Sequence, residues 1–92
     1  MKLDIDIQNV IEFIIYILPE DSILKCNLEN ISPGKWHSKA YYQFVDSTHA
    51  NTPGSKWIFK ENIILEHPKL GTLVLDILEK DQLGGIEFYE LL

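Results

Sequence analysis

Arginine is absent from this 92-residue chain, and cysteine and methionine occur once each. Without arginine there is no bidentate fork for phosphates or base edges, and eight lysines stand against fourteen acidic residues, a formal net charge of -6. Nucleic acid is therefore not an expected partner. With Cys26 alone, no intrachain disulfide forms and one subunit cannot build a cysteine-rich zinc site, so a reducing cytosol is the simplest compartment. Long apolar runs are missing too. The longest, Phe13 to Leu18, has six residues, whereas a bilayer span takes roughly 20. Met1-Lys2-Leu3-Asp4 has no signal-peptide pattern. The expectation is a cytoplasmic protein, neither secreted nor membrane-embedded. Internal repeats, low-complexity stretches and a glycine-rich phosphate loop are also lacking.

Apolar residues, by contrast, make up 46% of the chain, including two Trp, four Tyr and four Phe. A chain of this mass hides roughly 65% of its unfolded surface, enough for one modest core. The whole of 1–92 therefore reads as a single domain that folds without staples.

Ile7, Val10, Ile11, Ile14, Ile15 and Leu18 recur at three- and four-residue spacing, with Asp4 or Asp6 to cap the start and Pro19 to stop the run. This pattern predicts a helix over 6–18. Its β-branched content and wide apolar side require burial against a sheet. Beyond Pro19-Glu20-Asp21 the period becomes two: Leu24, Cys26 and Leu28 alternate with Lys25, Asn27 and Glu29, predicting a strand that ends at Ser32-Pro33-Gly34. Residues 40–46 predict a second strand. The turn-rich stretch 46–56 exceeds an ordinary hairpin connection, which makes it a mobile binding loop or slack. Over Trp57 to Leu65 the alternation slips around Lys60-Glu61-Asn62, as at a bulge. Strands over 72–78 and 85–89 complete the pattern. The fold class expected is α+β, an N-terminal helix packed on an antiparallel meander sheet of about five strands.

Candidate chemistry is sparse. His37, His49 and His67 fall near turns or strand ends, without His-x-x-x-His or His-Cys spacing, so no metal and no cofactor is expected. Asp46-Ser47-Thr48-His49 holds the residue types of a nucleophilic triad within one short loop, where convergence is seldom achieved; turn formation is the better reading, and no catalytic residue is assigned. More distinctive is the C-terminal crowd of carboxylates: Asp76, Glu79, Asp81, Glu87 and Glu90, faced only by Lys80. On a hairpin they form either a negative patch for a cationic partner or a solvated outer face that resists strand aggregation. Trp36, between Lys35 and the His37-Ser38-Lys39 segment, is the aromatic most suited to anchoring an interface. The candidate partner-binding residues are accordingly Asp76, Glu79, Asp81, Glu87, Trp36 and, in the 46–56 loop, His49.

Two resemblances attach to these features. Gly71-Thr72-Leu73-Val74-Leu75-Asp76-Ile77 through Leu83-Gly84-Gly85-Ile86-Glu87-Phe88 resembles the closing hairpin of a family of short bacterial β-rich proteins of unassigned function. The entire layout, one apolar N-terminal helix, a meander and an acidic balance, is similar to immunity proteins of bacterial toxin systems, including those of contact-dependent growth inhibition. That resemblance implies a cytoplasmic protein that binds a basic toxin domain, often a nuclease, and blocks its active site. The alternative is a structural or regulatory interaction module, a homodimer pairing exposed strand edges.

Overall fold

A computed structural model describes residues 5–92. The first helix, α1 (Ile7–Ile17), begins where Asp6 turns its carboxylate back on the free amides of Gln8 and Asn9, at 3.0 and 3.4 Å. Asp4, the other cap considered, lies outside the described residues. The helix stops at Leu18, held extended (φ -78°, ψ 148°) as a residue before proline must be. Val10, Ile11 and Ile14 are buried, while Tyr16 and Ile17 are exposed.

The segment expected as the first strand is a second helix, α2 (Ile23–Glu29). Leu24 and Leu28 fit a two-residue period, but they are also four apart, and in a helix that puts both on one face. They are buried, whereas Cys26 is exposed, as the helical arrangement demands. The Ser22 hydroxyl accepts from the Lys25 amide at 3.2 Å and sets the start.

Five antiparallel strands follow, β1 (Lys35–Ser38), β2 (Tyr41–Gln43), β3 (Phe59–His67), β4 (Gly71–Leu78) and β5 (Gln82–Phe88). They lie in the order β1-β2-β5-β4-β3. A hairpin (β1, β2) and a three-strand meander (β3, β4, β5) thus meet through β2 and β5, so the final strand lies at the centre. The expected α+β architecture holds, with β1 taking the place of the strand expected at 24–28. Residues 40–46 contribute only Tyr41–Gln43 to the ladder, extended by bonds from Phe88 N to Ala40 O (2.7 Å) and from Phe44 N to Gly84 O (2.8 Å). The anticipated slip in β3 appears as a register shift between Phe59 and Glu61.

One core unites both helices with one side of the sheet: Val10, Ile11, Ile14, Leu24 and Leu28 meet Tyr42, Leu73, Leu75, Ile77, Leu83, Ile86 and Phe88. Strand alternation sends Val74, Asp76, Gly85 and Glu87 to the opposite side. Among the described residues no helix is long and apolar enough to cross a membrane.

Candidate functional site

The helix-free side of the sheet carries a polar cluster that spans several strands. Asp76 on β4 stands opposite Asn62 on β3 and Gly85 on β5, while Tyr41 on β2 stands opposite Glu87 on β5. Because Gly85 has no side chain, the Tyr41 ring lies across β5 and its hydroxyl donates to Asp76 Oδ2 at 2.6 Å. A Cβ at Gly85 would run into that hydroxyl and ring. From the other flank Asn62 Nδ2 donates to Asp76 Oδ1 at 2.6 Å. One carboxylate is thus held from both sides within a row of four neighbouring strands, β2-β5-β4-β3, with Glu87 beside it. His37 meets the Tyr41 ring edge-on, centroids 6.5 Å apart.

The electrostatics follow from this geometry. Burial, then the hydrogen bond to Asp76, then the negative charges of Asp76 and Glu87 all push the Tyr41 phenol well above its ordinary value of 10.0. Tyr41 is therefore a neutral donor at any physiological pH, and the cluster presents net negative charge from Asp76 and Glu87.

The other anticipated residues are distributed elsewhere. Glu79 and Asp81 lie in the one-turn 3-10 helix between β4 and β5, where Lys80 and Asp81 both take positive φ, 65° and 55°. Asn27 of α2 braces this turn, its Nδ2 donating to the carbonyls of Lys80 (3.1 Å) and Asp81 (2.7 Å). Asp81 is not left to Lys80, as expected from sequence: Lys60, reaching from β3, bonds its Oδ1 at 2.6 Å. That bond and the Asp81 charge raise the Lys60 pKa. Glu79 stays exposed and lines a shallow groove with Phe44, Val45, Lys56 and Ile58.

Trp36 stands opposite Tyr42, hence on the helix side of the sheet, away from Asp76 and Glu87. It is 41% exposed, its ring 5.3 Å from both Tyr42 and Phe88, so it roofs the core margin as well as meeting solvent. His49 is exposed, at φ 57°, in the 46–56 loop. Hydrogen bonds run through that loop and tie it to the start of β3. Asp46 Oδ1 accepts from the Thr48 amide and hydroxyl at 3.0 and 2.7 Å, the Asn51 amide donates to Trp57 O at 2.7 Å, and Asn51 Oδ1 accepts from the Phe59 amide at 2.8 Å. Ser47 Oγ accepts from Gln43 Nε2 at 3.0 Å, so Asp46 and Ser47 are both engaged with residues other than His49.

The structure therefore brings Asp76 and Glu87 together, places Glu79 and Asp81 at the adjoining turn, and separates Trp36 and His49 from them. Tyr41, Asn62 and Lys60, which fix or offset these carboxylates, were not among the residues expected from sequence. The one local signal for Tyr41's position is Gly84-Gly85 inside a strand, a mark of close approach. No protein-family model, curated protein or solved structure matches the chain.

Proposed function

We propose that this protein works in the cytoplasm as an immunity-type inhibitor, binding a basic protein surface, a toxin domain, across the open side of its sheet. The observation that carries this reading is Asp76 held by Tyr41 and Asn62 beside Glu87. A carboxylate already fixed in one orientation loses little freedom when it meets a cation, so more of the interaction appears as affinity. The surrounding charge of -6 steers a cationic partner toward the face. Nucleic acid, repelled by the same charge, is not the ligand, and binding rather than catalysis is the activity. The layout's similarity to toxin-system immunity proteins supports the partner class, and the free Cys26 accords with a reducing compartment.

Co-expression with the product of the neighbouring gene, followed by pull-down and a growth assay, tests this directly. A stable complex that restores growth is the expected result. With partner in hand, Glu87→Lys combined with Asp76→Asn is expected to slow association several-fold and flatten its dependence on salt, leaving the folded spectrum intact. Unchanged association kinetics in that variant would remove the open face from the interface.

A further inference from the structure

The two edges of the sheet are built differently. At one edge, β1 has four residues, a register shift between Trp36 and Ser38, and lysines at 35 and 39, all devices that discourage pairing. At the other, β3 has nine residues and runs in unbroken register with β4 from Glu61 to His67. Neither proline nor lysine interrupts this stretch, and Ile64 at its middle is 66% exposed. Among the described residues β3 has a strand neighbour on one side only, so every second residue turns its N–H and C=O outward.

The sequence of that edge is self-complementary. A two-fold axis perpendicular to a sheet keeps each side chain on its own side, so an antiparallel self-pair must centre on a residue. Centred on Ile64, Ile64 meets its own copy, Ile63 meets Leu65, Asn62 meets Glu66 and Glu61 meets His67. Apolar residues face apolar ones throughout, and no like charges stand opposite each other. Centred on Ile63, Asn62 would oppose Ile64 and Glu61 would oppose Leu65; centred on Leu65, Ile64 would oppose Glu66. Only the first register keeps the pattern. It also continues the core-side row, because Ile63 and Leu65 already stand opposite the buried Leu75 and Leu73.

We infer that β3 is a homodimer interface, pairing antiparallel with β3 of a second copy in the register centred on Ile64. The joined sheet has ten strands, twice the five of one protomer, with both acidic faces on the same side. This pairing does not depend on the proposed toxin partner. It also responds oppositely to ionic strength: salt screens repulsion between two copies of charge -6 and tightens the dimer, but weakens attraction to a basic partner.

Sedimentation equilibrium across a dilution series, at low and high salt, is expected to show doubled mass that dissociates on dilution and persists further at high salt. Ile64→Lys, at an exposed position, is expected to sediment as a folded monomer with the wild-type circular dichroism spectrum. In a Cys26→Ser background, Ile64→Cys should form a covalent dimer on mild oxidation, because a residue on the axis meets itself within disulfide reach. Ile63→Cys, opposite Leu65, should not. A wild-type monomer throughout the series would overturn the inference and leave the edge to a strand of a different protein. A dimer that survives Ile64→Lys, or efficient cross-linking through Ile63→Cys in preference to Ile64→Cys, would overturn it equally.

Discussion

Gly85 and Tyr41 form one device. The phenol reaches Asp76 only because nothing projects from β5 beneath the ring, so Gly85→Ala is expected to displace Tyr41 and cost about 1–3 kcal/mol through overpacking. Urea denaturation should show a lower midpoint with an unchanged slope. Tyr41→Phe removes the hydroxyl from that collision and the bond to Asp76 together, at about 1–2 kcal/mol. Combining the two substitutions is expected to cost less than their sum. Tyr41 also makes stability depend on pH at the alkaline end. Its folded pKa lies above 10.0, so above about pH 10 the native chain keeps a proton that the unfolded chain has released. Protons bound preferentially by the native state mean that stability is fully present below pH 10 and declines as pH rises beyond it. Alkaline denaturation of Tyr41→Phe should therefore decline less steeply than that of the parent. Little of this cluster was legible in the sequence. The carboxylates were visible as a group, but Tyr41 and Asp76 are 35 residues apart and Lys60 and Asp81 are 21 apart, separations at which composition carries no pairing information.

Among the elements, the clearest contrast is between the two helices. α1 was readable because eleven residues sample its period three times over, with a cap before and a proline after. α2 has seven residues, a window in which leucines four apart satisfy helix and strand equally. What decides the outcome is Ser22, whose hydroxyl takes up a free amide of the first turn, and the tertiary burial of Leu24 and Leu28. Ser22→Ala is accordingly expected to destabilise the fold by about 1 kcal/mol, read from thermal or chemical unfolding. β1 is not legible in the sequence for a different reason: all four of its residues are exposed, so neither side imposes an alternation. The bulge in β3 is legible because Ile58 and Ile64 break the parity shared by Trp57, Phe59, Ile63 and Leu65, around the polar Lys60-Glu61-Asn62, and such a slip is a purely local event. Which strands pair is not local, and the β2–β5 ladder left no trace in the sequence of either strand.

At the scale of the molecule, that ladder joins two halves that are otherwise separate in chain order. Amide exchange under native conditions is expected to be slowest in β5, flanked on both sides and carrying the buried Leu83, Ile86 and Phe88, and much faster in the exposed β1 and the 46–56 loop. Slow exchange confined to β3 and β4 would instead indicate that this pair is stable without β5. The central position of β5 also has a consequence in time. Chains are made from the amino end, so four strands and both helices emerge before the strand that unites them exists. Until β5 is free, the apolar sides of β2 and β4 lack their shared neighbour, and the nascent chain presents open edges to chaperones and to other nascent chains. Completion of the sheet consequently waits on β5, and a ribosome stalled shortly before Gln82 would carry an unfinished sheet rather than a partly working one.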